Sequence, residues 1–171
     1  MPRELMTIQE IKELNELLRR VFNCISNLKS EHKLADKIKY PQIPSILTES
    51  LTLHLLKKSL ILPELKEYEF NFGGRVADIL ASKGDEKKRI EVKATAKSGF
   101  EYFSEKDISA DYIVWIHFAD FFMNSKSTSI KVLIVRRPNM YFEKPRKITL
   151  TQLQQIIKSN LEEINIDINC L

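Results

Sequence analysis

Residues 75–95 read RVADILASKGDEKKRIEVKAT, and the period of this stretch decides the fold. In its second half Ile90, Val92 and Ala94 fall on one side and Glu91 and Lys93 on the other, because successive side chains of a strand point to opposite faces. Gly84 and Asp85 are turn residues between two such halves, so the stretch reads as a β-hairpin. Immediately upstream EYEFNF, residues 67–72, also alternates. Residues 66–96 therefore read as a three-strand antiparallel meander. One strand face carries a carboxylate and an ammonium, and Asp78 interrupts the apolar VADILA of the neighbouring strand. A charge among apolar neighbours is costly unless it is matched.

Outward from the meander the period changes to that of helices. Residues 4–28 place Leu5, Ile8, Ile11, Leu14, Leu18, Val21, Phe22 and Ile25 at helical spacing. Thr7, with Glu10 three residues on, fits a capping box. Residues 31–38 read as a second short helix, YPQIP interrupts with two prolines, and SILTESLTLHLLKKSL reads as a helix over about 44–60. Downstream, SEKDISA fits one or two helical turns capped by Ser104. DYIVWIHF, 111–118, is a buried strand by its near-continuous apolar character, and SIKVLIVRR, 129–137, is another. ITLTQLQQIIKSNLEEI, 148–164, reads as a closing helix with Thr149 or Thr151 as N-cap. This order predicts an α/β fold: a mixed central sheet flanked by helices at both ends. The 171 residues are expected to form one domain: an N-terminal helical segment (1–40), a core (44–118), and a strand plus C-terminal helix (119–171).

Composition narrows the function. A hydrophobic content of 43% and a charged content of 29% are those of an ordinary globular protein. No apolar run approaches membrane-spanning length, and MPRELMTIQEIKELNELLRR lacks the apolar core of a signal peptide. A cytoplasmic protein with no membrane partner is expected. Cys24 and Cys170 form no metal-ligand spacing and read as reduced and structural, and His32, His54 and His117 stand alone, which argues against zinc. The four glycines form neither a dinucleotide fingerprint nor a Walker loop. The net charge of +4 is unevenly placed: Lys126, Lys131, Arg136, Arg137, Lys144, Arg146 and Lys147 face Glu143 alone within 126–147, and the rest of the chain is slightly acidic. Such a stretch can neutralise phosphates, or can simply be a solvated surface.

Asp78 and Glu91 lie on strands joined by a short hairpin. If they share a side, two carboxylates converge, and like charges repel unless a cation sits between them. Carboxylate oxygens with water and a phosphate oxygen suit Mg²⁺, which can activate water and neutralise a scissile phosphate. Lys93 points to the same side as Glu91 and could hold the attacking water or stabilise the phosphorane. The alternative is an ordinary solvated sheet face, where Glu and Lys two residues apart are common.

These residues resemble the core of the PD-(D/E)XK nuclease superfamily. Asp78 stands for the motif aspartate and Glu91-Val92-Lys93 for E-x-K, and the α-β-β-β-α-β order over residues 44–118 is similar to that family's restriction-endonuclease-like core. Ala77 stands where many members have proline. The resemblance implies a metal-dependent phosphodiesterase, with Mg²⁺ (or Mn²⁺ in its place) bound by Asp78, Glu91 and the Val92 carbonyl, and Lys93 as catalytic lysine. It implies a glutamate on the preceding helix, for which Glu49 fits better than Glu64 or Glu69. Lys97, Ser98 and Lys106 would then lie near nucleic acid, as would Lys126, Arg136 and Arg137. Phe100 and Phe103 read more readily as core residues over the sheet.

The leading expectation is a small type II restriction endonuclease that cuts double-stranded DNA, acting as a homodimer because one active site cuts one strand. The alternatives are a DNA-repair or junction-resolving nuclease, a non-catalytic DNA-binding module of the same fold, and an α/β protein with a chance E-V-K.

Overall fold

The change of period at residue 66 marks where the chain passes from helices to a sheet. The computed structural model describes residues 4–97 and 99–171. Helix α1 spans Ile8–Glu31 and begins at the expected Thr7–Glu10 capping box. It buries a stripe of Ile11, Asn15, Leu18 and Phe22. A 3-10 turn, Lys33–Lys37, stands where the short second helix was expected. Helix α2, Ser45–Lys57, is buried on most of its sides, and its polar residues are accommodated by local bonds. Thr52 Oγ1 donates to the Thr48 carbonyl, and Ser50 Oγ accepts from the Met6 N–H.

Strands β1 (Glu69–Phe72), β2 (Ile79–Lys83) and β3 (Glu86–Thr95) form the antiparallel meander. Gly84, at φ +57°, turns β2 into β3. Strand β4 (Phe100–Phe103) and the single-turn helix α3 (Glu105–Ile108) then carry the chain to β5 (Tyr112–His117), which lies parallel to β3. Ser104 caps α3, as its sequence suggested. Strand β6 (Ser129–Arg136) is antiparallel to β5. The C-terminal region differs from expectation. Residues 146–149 form strand β7, paired with β4. Helix α4 spans only Leu150–Ile157, with Thr149 as its N-cap, and residues 162–167 form strand β8 on β6. Lys158, at φ +53°, ends the helix. Beyond it Ile164 and Ile166 alternate with Glu163, Asn165 and Asp167, a strand period, and the open edge of β6 supplies the ladder.

Six strands thus form one mixed sheet in the order β1-β2-β3-β5-β6-β8, and β4 and β7 form a separate ribbon. The sheet is covered on both faces. Ile79, Ile90, Val114, Ile116, Val132 and Ile134 pack beneath α1 and α2. Ile113, Trp115, Leu133 and Val135 point the other way, into a second core with Phe103, Phe142, Ile148 and Leu153. Glu91 and Lys93 are in register with Ile113 and Trp115, so they lie on this second face. No helix among the described residues is long and apolar enough to cross a membrane. Cys24 and Cys170 are both exposed free thiols, not core residues.

Candidate active site

The site forms where β2 ends beside the middle of β3. The β2–β3 ladder begins at Ile79 opposite Ile90, so Asp78 stands just outside the strand, not within it. Its carboxylate takes over from the missing ladder: Oδ2 accepts the Val92 N–H at 2.8 Å. The turn before it is held tightly. The Gly73 N–H donates to the Asp78 carbonyl at 3.1 Å, and a Cβ on Gly73 would lie 2.6 Å from the Ala77 carbonyl oxygen. Only glycine admits that approach. Val92 therefore meets Asp78 through its N–H.

Asp78 and Glu91 do converge, and a cation does lie between them. It is the Lys106 ammonium, whose Nζ is 3.0 Å from Glu91 Oε2 and 3.5 Å from Asp78 Oδ1. Glu91 is 2% exposed, and its other oxygen, Oε1, has no hydrogen-bond partner among the described residues. Burial first, and then the Asp78 charge, push the Glu91 carboxyl up to about 7 despite Lys106. One ammonium shared by two carboxylates does not neutralise both. On Lys106 burial works to lower the pKa, but the bonds and charges of Glu91 and Asp78 outweigh it, and the net shift is upward.

Lys93 is paired separately. Its Nζ lies 2.9 Å from Asp107 Oδ1, and the Asp107 side chain is 3% exposed. The other oxygen of Asp107 accepts from the Ser104 N–H and hydroxyl, closing the α3 capping box. The two pairs are crossed: strand anion to helix cation at Glu91–Lys106, strand cation to helix anion at Lys93–Asp107. This answers why β3 carries Glu91 and Lys93 on one face: a single turn of helix supplies a counter-charge for each. Asp107 was not among the sequence candidates. Its signal was the S-x-x-D of SEKD, read there only as a cap. Glu101, on β4, also adjoins Lys93. Burial raises its carboxyl to about 7, opposed by the Lys93 charge.

An open cleft of about 440 Å³ runs from Ser45 and Thr48 on α2, past Val92 and Lys93, to Phe100 and Glu101 on β4. Lys97 is exposed and lines a second cleft, of about 580 Å³, with Thr95, Phe100 and His117. Phe103 is core, as expected, but Phe100 is not: it is 52% exposed, as is Tyr102, and Lys147 Nζ lies over the Phe100 ring. Glu49 is buried on α2, next to the Thr48 that lines the same cleft as Lys93. Among the described residues no three acidic, histidine or cysteine side chains cluster as a metal site. Arg136, a candidate nucleic-acid contact from the sequence, is held by Glu64 and Glu162, whereas Arg137 and Lys126 are exposed. Ser98 lies outside the described residues.

The donor set fits a hard divalent cation. Asp78 Oδ1 and Glu91 Oε2 face Lys106, and the buried Glu91 Oε1 has no hydrogen-bond partner among the described residues. Lys106 has to leave for such an ion to bind, and its partly exposed side chain permits that. Comparison with known proteins finds no matching family model, curated protein or solved structure, so the geometry alone carries the functional reading.

Proposed function

We propose that the chain is a Mg²⁺-dependent endonuclease acting on double-stranded DNA, of the PD-(D/E)XK type and closest in kind to a small type II restriction enzyme. One observation carries this reading: Asp78 and Glu91 converge on a single cation position while Glu91 Oε1 stays buried without a donor. The element order supports it in part: α2, the antiparallel β1–β3, α3 and a β5 parallel to β3 come in that family's order, with the additional strand β4 between β3 and a single-turn α3.

Asp78 and Glu91 would hold the metal. A divalent cation there supplies charge neutralisation at the scissile phosphate and lowers the pKa of a water. The Val92 N–H fixes the Asp78 carboxylate, which keeps Oδ1 turned toward Glu91. Lys93 lines the cleft beside Glu91 and, anchored by Asp107, presents a positioned ammonium to the attacking water or a phosphate oxygen. The exposed face of the β4–β7 ribbon, with Phe100, Tyr102 and Lys147, and the exposed Lys97, Lys126 and Arg137 are the candidate phosphate and sugar contacts. Arg136 is not carried into this set because two glutamates hold it. A homodimer would place two such sites on the two strands.

Plasmid and linear duplex DNA incubated with Mg²⁺, with and without EDTA, test the reading. Discrete fragments that EDTA abolishes support a sequence-specific nuclease. Preferential cutting of branched DNA points to a junction-resolving enzyme. The occupancy of the carboxylate pair by Lys106 specifically favours one other reading, a non-catalytic DNA-binding module. DNA bound without any cleavage would select it.

A further inference from the structure

The Lys106 ammonium takes the place that a divalent cation needs. We propose that Lys106 is a built-in counter-ion of the carboxylate pair that transfers to a DNA phosphate when the metal enters, so that metal and DNA bind cooperatively through this one side chain. The inference rests on the nuclease reading for the identity of both ligands.

Three observations support the exchange. First, Lys106 Nζ contacts both carboxylates, at 3.0 and 3.5 Å, so an ion bound to the same oxygens would sit against the ammonium. Like charges at that distance exclude one another. Second, the side chain can leave without unfolding its surroundings. It is 39% exposed on a flexible stem, and the backbone of α3 is fixed independently by the Ser104–Asp107 box and the Lys93–Asp107 pair. Third, Lys93 cannot exchange in the same way. Its departure would strip the buried Asp107 of its cation, whereas departure of Lys106 leaves carboxylates that the metal itself neutralises. A displaced ammonium needs an anion, and a phosphate of DNA bound at the site supplies one. Without DNA, Lys106 competes with the metal. With DNA, it has another partner and the competition is relieved. By linkage, the metal must then tighten DNA binding by the factor by which DNA tightens metal binding.

Mn²⁺ titration of the full chain by calorimetry tests this, with and without a duplex made resistant to cleavage by phosphorothioate linkages. The wild type should bind Mn²⁺ about tenfold more tightly when the duplex is present. Lys106→Met should bind Mn²⁺ more tightly than the wild type without DNA, and should gain almost nothing from adding it. Its melting temperature should be lower than that of the wild type without Mn²⁺ and should rise more when Mn²⁺ is added. Lys106→Gln provides the same comparison if the methionine variant does not fold. A variant that binds more tightly but keeps the tenfold gain would reduce Lys106 to a nearby charge and overturn the transfer. Equal Mn²⁺ affinity in wild type and variants would overturn the competition while leaving the nuclease reading standing. Absence of Mn²⁺ binding in wild type and variants alike would overturn both.

Discussion

The Lys93 ammonium lies 2.9 Å from Asp107, and that contact separates a structural role of this lysine from a chemical one. Lys93→Met leaves a buried aspartate without its cation and should lower stability by about 3 kcal/mol. Adding Asp107→Asn removes the stranded charge and should recover most of that loss in urea denaturation, since the amide can still serve the Ser104 cap. Cleavage should stay lost in the double variant if Lys93 acts on the substrate, and return if it serves only the fold. Glu101 provides a separate test, through pH. Its carboxyl is raised from 4.5 to about 7 by burial. The folded state therefore holds a proton that the unfolded state gives up. The resulting stabilisation is complete below about pH 4.5 and is lost as pH rises through 7. Glu101→Gln does not titrate, so it should match the wild type near pH 4 and exceed it at pH 8, by roughly 2 kcal/mol once the about 3 kcal/mol of the full shift is reduced for the group's partial exposure to solvent. A difference independent of pH would show that the buried carboxyl is not the cause.

Among the elements, the turn of residues 73–78 is the most exacting. A methyl at position 73 would meet the Ala77 carbonyl oxygen at 2.6 Å, so Gly73→Ala forces a shift in the turn that carries Asp78. Metal affinity should fall at least about tenfold in Gly73→Ala, while far-UV circular dichroism stays that of the wild type. The β4–β7 ribbon makes a different prediction. Lys147→Ala should weaken DNA binding evenly across sequences and reduce the slope of log affinity against log salt by about one. These elements also show what the sequence could and could not reveal. The Thr7–Glu10 box, the Ser104 cap and the Gly84 hairpin depend on residues a few positions apart and were legible. Strand β8 was not. Its first residues, EEI, read as the end of the closing helix, the alternation of residues 163–167 is too short to decide alone, and the free edge of β6, with Lys131 beside Glu163, makes the stretch a strand. The exposure of Phe100 depends on β7, some 50 residues away, and was likewise hidden.

At the scale of the whole molecule, the sheet brings together what lies apart in the chain. Asp78, Glu91 and Lys106 come from a turn, a strand and a single helical turn, and they meet because β3 is shared between the meander and the parallel β5. The sequence pointed to the two carboxylates and to a cation between them. It placed Lys106 near the nucleic acid and did not show its contact with the carboxylates, because an ion pair spanning 28 positions has no local signature. The basic stretch of residues 126–147 is likewise partly spent within the fold, since Arg136 and Lys131 are paired with acids. The exposed basic surface is therefore narrower than the charge count implied. The most direct test of the central claim is Mg²⁺-dependent cleavage of duplex DNA by Asp78→Asn beside the wild type. The substitution keeps the shape of the side chain and removes its charge. The account predicts a loss in rate greater than the roughly hundredfold that even outer partners of a metal site cost, with DNA binding in the absence of metal retained. Cleavage at the wild-type rate by Asp78→Asn would contradict it.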